Sequence, residues 1–297
     1  MVVQGIYPPV LTPFDESGAL DERRLRTLAE FWAGHVHGMY VCGSYGSGPL
    51  MSPEERERVF EVLAETVGDR VGLIAHVGAI DTQTTLRLAR HAEQHGAQAV
   101  AAVPPYYYTH NEAAICAHFE ALLQAVSIPV YAYDNPKATG NPLSPALLDR
   151  LAELGLAGLK DSSFDISKLY MAMRVVRKPG FDFVIGSESL MLPAFVMGVR
   201  GCIAGLANPF PEVMRRFYEA AATGTPEDAS RWQARVLKLW DLMHIDPSVS
   251  CAYALLSLRG FDAGFPRRPL LPLDAETMRR SREGLQALQV LWDGALG

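Results

Sequence analysis

Short apolar runs alternate with amphipathic segments along the first three quarters of the chain. Runs of Val, Ile, Leu and Ala that are bounded by turn residues are typical of buried strands. Eight such strands are predicted: Gly5–Leu11, Gly38–Cys42, Val71–Val77, Ala99–Val103, Val130–Tyr133, Leu156–Lys160, Phe183–Ile185 and Gly201–Ala204. Between them, apolar positions recur at helical spacing, so the pattern predicts a regular succession of strands and helices.

Several of the intervening helices carry clear start signals. Ser52 is followed by Pro53, and Ser144 by Pro145, which is the order of a cap residue and a proline in the first helical turn. Asp81 opens a helix that is predicted to run to about His95. With an eighth helix between residues 209 and 222, eight units predict a (β/α)8 TIM barrel. A doubly wound open sheet is the alternative, disfavoured because no nucleotide-binding fingerprint accompanies the units.

The pattern changes to helices alone after Gly224-Thr225-Pro226. Three helices are predicted there: Glu227–His244, Ser248–Leu258 and Glu276–Trp292. We therefore expect residues 1–223 to form the barrel. Residues 224–297 are expected to form a C-terminal three-helix appendage that packs on it.

Composition narrows the possible partners and location. The chain has 297 residues, 49% of them hydrophobic, which suffices for one large core plus an appendage. The net charge of −6 and the lack of a basic tract argue against nucleic acid or an anionic membrane as a partner. The four cysteines are isolated, there is no signal-peptide pattern, and no apolar stretch could span a bilayer. These features predict a reduced, cytoplasmic protein.

The most informative residue is Lys160, which ends an apolar run and precedes the polar turn Asp161-Ser162-Ser163. Burial disfavours an ammonium group, so a lysine at the mouth of a barrel becomes partly neutral and nucleophilic toward carbonyls. A solvated lysine at a strand–helix junction is the alternative. The other strand ends decide between the two interpretations, because the active sites of TIM barrels lie there.

Three other strand ends carry suitable groups. Tyr133 ends the strand before Lys160, and neighbouring strands lie about 4.8 Å apart, so the tyrosine hydroxyl could move protons for the amine. The glycine-rich loop Gly43–Gly48 lacks the spacing of a dinucleotide loop but could bind a carboxylate through its backbone N–H groups. The tyrosines of the Tyr106–Tyr108 run could either belong to the active site or pack at a contact between subunits. For His76, at another strand end, a hydrogen-bonded core role is favoured.

These motifs, in this order, resemble the dihydrodipicolinate synthase / N-acetylneuraminate lyase family of class I pyruvate aldolases. The matching segments are Gly43-Ser44-Tyr45-Gly46, Tyr133-Asp134-Asn135-Pro136, Gly158-Leu159-Lys160-Asp161 and Gly186-Ser187-Glu188. The resemblance implies a TIM barrel, a pyruvate Schiff base on Lys160 without another cofactor or metal, and Tyr133 as acid and base. It also implies that Ser44 and Tyr107 complete a proton relay, with Tyr107 reaching across a subunit interface of a homotetramer built as a dimer of dimers.

Departures from the family pattern bear on the substrate. Dihydrodipicolinate synthases usually carry an arginine where this chain has Ala138, which cannot bind a carboxylate. Tyr45 and Ser47 replace the usual threonine and glutamate of the glycine-rich loop. Within the family, the chain resembles the 2-keto-3-deoxygluconate aldolases. An arginine that this subgroup uses for phosphorylated substrates is replaced by His110 in this chain. The substrate-binding residues implied by this resemblance are Tyr45, Tyr131, Ser162, Gly186, Glu188 and Ile203.

The sequence thus predicts a lyase that reversibly cleaves a 2-keto-3-deoxy sugar acid to pyruvate and an aldehyde. Its expected partners are small molecules, a 2-oxo acid and an aldehyde. Three alternatives stay open: a keto-deoxy sugar acid dehydratase, a dihydrodipicolinate synthase-like enzyme that condenses pyruvate with an aldehyde, and a non-catalytic binding homologue.

Overall fold

The computed structural model describes residues 3–291 and confirms the predicted (β/α)8 barrel. The eight strands are β1 Gly5–Ile6, β2 Gly38–Val41, β3 Gly72–His76, β4 Ala99–Ala102, β5 Val130–Asp134, β6 Gly158–Asp161, β7 Asp182–Ile185 and β8 Gly201–Cys202. All pair in parallel, in the order β1-β8-β7-β6-β5-β4-β3-β2. A parallel bridge between Pro9, in the segment after β1, and Tyr40 of β2 closes the barrel.

The first strand is much shorter than the predicted Gly5–Leu11. Pro8 and Pro9 have no backbone N–H group, so regular pairing ends before them. Their segment is nevertheless held at the barrel wall, because the Tyr40 N–H group donates to the Pro8 carbonyl at 2.9 Å. The chain therefore remains part of the barrel after the strand ends.

The helices begin where the sequence places caps. Ser52 and Glu55 form a reciprocal capping box, and the side chains of Asp81 and Ser144 also accept N–H groups of the first turn. The helices are α1 Glu22–Ala33, α2 Pro53–Val67, α3 Thr82–Gln94, α4 Glu112–Ala125, α5 Pro136–Thr139, α6 Pro145–Leu154, α7 Ile166–Val175, α8 Met191–Val196, α9 Pro211–Thr223, α10 Pro226–Met243, α11 Ser248–Leu258 and α12 Ala275–Leu291.

The last three helices pack on the barrel beside α9. Helix α10 lies against α9, and α11 lies against the 3-10 turn Gly205–Ala207 that follows β8. The Tyr253 hydroxyl of α11 donates to the Thr12 carbonyl at 2.7 Å, which ties the appendage to the loop after β1. Trp292, the predicted end of the last helix, lies outside the described residues. Over residues 3–291, no helix has the length and hydropathy needed to cross a membrane.

Side chains inside the barrel form a core separate from the one beneath the helices. The inner core is built mainly from alternate strand positions: Val3, Tyr7, Tyr40, Ile74, Ala99, Ala101, Val103, Tyr131, Tyr133, Val184 and Ile203. This follows from the two-residue period of a strand, which points every second side chain inward. The interior is thus filled with aromatic rings, and Lys160 is buried at its carboxyl end.

Candidate active site

Lys160 lies in the barrel interior with only 3% of its surface exposed. In the register of β5 and β6 it is directly paired with Tyr133. Its Nζ atom lies 3.9 Å from the centroid of the Tyr133 ring and 3.9 Å from that of Tyr40. Burial lowers the pKa of Lys160, and the interaction with Tyr133 opposes part of that shift. The amine therefore has the environment that a nucleophilic lysine requires.

Tyr133 is the centre of a hydrogen-bond network around this amine. Asn135 Nδ2 donates to the Tyr133 hydroxyl at 3.2 Å, and Ser44 and Ser162 also hydrogen-bond to it. Burial alone would raise the pKa of Tyr133. The positive charge of Lys160 and the three hydrogen bonds outweigh burial, so the net pKa shift is downward. A phenol with a lowered pKa exchanges a proton more readily, which suits an acid and base.

A small cavity of about 30 Å³ opens above Lys160 at the carboxyl ends of the strands. Its lining consists of Pro9, Ser44, Tyr45, Tyr133, Lys160, Ser162, Gly186, Ile203 and Gly205. The cavity therefore brings together most of the site residues that the sequence suggests. A Cβ atom at Gly186 would lie 2.0 Å from Ser162 Oγ, so only glycine lets the loop after β7 approach so closely.

Tyr45 covers one side of the cavity. Its ring packs on Gly205, where an added Cβ atom would lie 2.3 Å from the ring carbon Cζ. Its hydroxyl hydrogen-bonds to Ser248 of α11. Burial, and then the nearby Glu188 carboxylate, raise the pKa of this phenol, so it stays protonated. A bulky side chain thus occupies space that a small residue would leave to the substrate.

Three of the predicted site residues lie away from the cavity. Tyr131 is one interior layer lower, and its hydroxyl donates to Asp182 at 2.8 Å near the amino end of β7. Glu188 is buried, and its carboxylate accepts the Leu206 N–H group at 3.1 Å; burial raises its pKa. Tyr107 is 85% exposed and has a positive φ of 81°. One copy of the chain does not bring Tyr107 to Lys160.

Two residues at the site were not assigned to it from the sequence. Tyr40 of β2 packs its ring against the Lys160 amine. His76, at the end of β3, has the hydrogen-bonded role favoured for it: Nδ1 donates to the Cys42 carbonyl at 3.1 Å. Its ring also lies 5.7 Å from the ring of Tyr133. Burial, with the charges of Arg56 and Lys160, holds the pKa of His76 well below its usual value, so the ring is neutral.

Comparisons with known proteins agree with this geometry. Over 274 residues, the chain is 38% identical to an uncharacterized DapA-like lyase of Halobacterium salinarum, covering 92% of this chain and 90% of that protein. The structure matches that of YagE, an E. coli K12 prophage protein of the dihydrodipicolinic acid synthase family, in complex with pyruvate. The TM-score is 0.92 at 28% identity, with 97% and 99% of the two chains covered.

A further solved structure has the same fold. This is KD(P)GA from T. tenax, which superposes with a TM-score of 0.89 at 28% identity and covers 97% of this chain and 99% of that one. Residues 2–288 also match the sequence profile of the dihydrodipicolinate synthetase family. The resemblance seen in the motifs is confirmed: this chain belongs to the dihydrodipicolinate synthetase family, whose members are class I pyruvate-dependent lyases and aldolases.

Proposed function

We propose that this protein is a Schiff-base lyase that reversibly cleaves a 2-keto-3-deoxy sugar acid to pyruvate and an aldehyde. The observation that carries the proposal is the buried amine of Lys160, 3.9 Å from the centroid of the Tyr133 ring and at the base of a cavity. A buried amine of lowered pKa is the group that condenses with a 2-oxo acid.

In the proposed mechanism, neutral Lys160 attacks the C2 ketone and forms a carbinolamine. Loss of water, with a proton supplied by Tyr133, gives an imine. Tyr133 then takes the proton of the C4 hydroxyl, the C3–C4 bond breaks, and its electron pair moves into the imine to form an enamine. Protonation at C3 and hydrolysis release pyruvate and regenerate the amine. The lysine itself supplies the electrophilic activation.

The remaining roles follow the same proposal. The backbone N–H groups of Ser44 and Tyr45 bind the substrate carboxylate, as donors at a turn can. Tyr107 of a neighbouring subunit completes the relay through Ser44 to Tyr133. The exposed rings of Tyr107 and Tyr108 favour such a contact, because adjacent exposed aromatic residues are typical of interfaces. The assembly we propose is a homotetramer, a dimer of dimers.

The substrate class rests on two substitutions. Ala138 lies on the short helix α5 and offers no charged group for a second carboxylate, which argues against dihydrodipicolinate synthesis. His110 stands where a phosphate-binding arginine is expected, and it is not among the described residues that line the cavity. The structural similarity to KD(P)GA from T. tenax supports a sugar acid as the substrate, and His110 supports one without a phosphate group.

Borohydride trapping tests the proposal directly. Incubation with pyruvate and borohydride should add one reduced pyruvyl group to Lys160, and peptide mass mapping should find the exposed Lys137 unmodified as an internal control. Incubation with 2-keto-3-deoxygluconate should then yield pyruvate and glyceraldehyde. An unmodified Lys160 would contradict the Schiff base. A trapped adduct with loss of water but no pyruvate would instead identify a dehydratase.

A further inference from the structure

A cluster of two histidines and a glutamate lies outside the barrel, on the paired helices α2 and α3. Glu61 comes from α2, His91 lies in the last turn of α3, and His95 is the residue that caps the end of α3. One carboxylate oxygen and one ring nitrogen from each histidine all lie within 4.8 Å of one another. Imidazole and carboxylate are ligands that zinc and similar divalent transition metals prefer. The site is separate from the Lys160 cavity, and none of its residues lines that cavity.

His91 Nε2 hydrogen-bonds to Glu61 Oε1 at 3.0 Å, and a metal ion would replace the proton that these two atoms share. His95 Nδ1 donates to the His91 carbonyl at 2.8 Å, which leaves the lone pair of Nε2 available in the neutral ring. His91 Nε2 and His95 Nε2 lie 3.0 and 3.9 Å from the same oxygen, Glu61 Oε1. The two rings are stacked, with centroids 4.1 Å apart, and both Nε2 atoms face Glu61.

The surrounding charges favour a cation at Glu61. Arg58 binds the other carboxylate oxygen, Oε2, at 2.9 Å, and also makes two 2.7 Å hydrogen bonds to Glu22. Arg26 in turn pairs with Glu65. The two arginines thus neutralise only two of the three carboxylates of Glu22, Glu61 and Glu65. Of the Glu61 oxygens, Oε1 is the one directed at the histidines.

We propose that Glu61, His91 and His95 form a binding site for a divalent transition metal of the zinc type. Tetrahedral zinc with ligand distances of about 2.0–2.2 Å holds its ligand atoms about 3.4 Å apart. Small side-chain rotations bring the three donors to that spacing. Only three protein ligands are present among the described residues, so a water molecule fills the fourth position. Magnesium and calcium, which prefer all-oxygen ligands, bind weakly or not at all.

Calorimetry with zinc on tag-free, chelator-treated protein tests the site. The wild-type chain should bind one equivalent of zinc, and zinc should raise its melting temperature. The variants His91→Gln, His95→Gln and Glu61→Gln should each lose that equivalent and the shift in melting temperature. The matched control is His244→Gln: His244 also has Nδ1 bonded to the carbonyl four residues earlier and stacks on an aromatic ring, Trp240. This control should bind zinc as the wild type does.

Cobalt gives a second readout that does not depend on any variant. Wild-type protein loaded with Co²⁺ should show the strong visible absorption of a four-coordinate ion with nitrogen ligands. Retention of the zinc equivalent in the His91→Gln/His95→Gln double variant would overturn the proposal. So would wild-type protein that binds no zinc, or a cobalt spectrum identical to that of the free hydrated ion.

Discussion

The Lys160 Nζ atom lies 3.9 Å from the centroid of the Tyr40 ring. Tyr133 contributes a second ring at the same distance, so the amine is held between two aromatic faces. An aromatic face attracts a cation, which stabilises the ammonium form and opposes the effect of burial. Tyr40 therefore limits how far the pKa of Lys160 falls, although no step of the proposed reaction uses its hydroxyl.

Replacing Tyr40 by leucine should make Lys160 reactive at lower pH. Loss of one ring removes about 1–2 kcal/mol of ammonium stabilisation, which corresponds to about one pH unit. The amine reacts in its neutral form, so a lower pKa moves the onset of imine formation downward. The measurement is the rate of borohydride trapping with pyruvate as a function of pH. An unchanged pH profile would rule out this role for Tyr40.

Tyr40→Phe is the matched control. It retains the aromatic face and removes only the hydroxyl, which is buried without a hydrogen-bond partner among the described residues. Its pH profile should therefore coincide with that of the wild type. Its free energy of unfolding should be equal or slightly higher, since an unpaired buried hydroxyl is unfavourable.

The sequence could predict that Lys160 and Tyr133 are neighbours, because their contact depends only on how two adjacent strands pair. Both are the penultimate residues of adjacent parallel strands, and such strands end at the same rim of a barrel. Tyr40 could have been found from the same alternation, since Gly38 and Tyr40 share one face of β2. Its contact with Lys160 could not, because that contact crosses the barrel interior and depends on how the layers of side chains stack.

An ion pair at the carboxyl end of β5 should be important for stability. Lys168 of α7 binds the carboxylate of Asp134, which is 1% exposed and also accepts the Leu143 N–H group at 3.1 Å. Lys168→Met would leave a buried carboxylate without its counter-charge, at a cost of about 3–5 kcal/mol. Urea unfolding should show this loss. The exposed Lys137→Met should change the free energy of unfolding by less than about 0.5 kcal/mol, and equal effects of the two variants would contradict the argument.

His118 should make stability depend on pH. It is buried, and burial followed by the nearby His110 lowers its pKa to about 4. The unfolded chain takes up a proton near pH 6.5, whereas the folded chain does not until about pH 4, so stability falls as pH decreases through this window. His118→Gln should reduce the slope there by up to about 1.4 kcal/mol per pH unit in urea unfolding.

The control for His118 keeps the titrating ring and removes its partner. Thr82 Oγ1 lies 2.9 Å from His118 Nδ1, so Thr82→Val should lower stability at every pH while leaving the slope nearly unchanged. A His118→Gln variant with the wild-type slope would show that the ring is not buried as a neutral group.

The sequence could not predict the positions of three site residues relative to the cavity: Tyr131, Glu188 and Tyr107. Tyr131 and Tyr133 both point inward from β5, but Tyr131 comes two residues earlier and therefore lies one layer deeper in the barrel. Its ring packs beside Gly158, which has no Cβ atom to exclude it. The orientation of Glu188 depends on the turn after β7, which no strand periodicity fixes. Tyr107 lies on an exposed loop, and whether it reaches a site depends on a second subunit.

Tyr45 and Gly205 should behave as a coupled pair. An added Cβ atom at Gly205 would lie 2.3 Å from Tyr45 Cζ and 2.4 Å from its hydroxyl, although the backbone there suits alanine. Gly205→Ala should therefore push the Tyr45 ring, destabilise the protein by about 1–3 kcal/mol and impair pyruvate trapping. Tyr45→Thr removes the ring, so the alanine should be tolerated in the double variant. A double-mutant cycle of unfolding free energies checks this. If the effects of Gly205→Ala and Tyr45→Thr add to within about 0.5 kcal/mol in the double variant, the ring does not rest on Gly205.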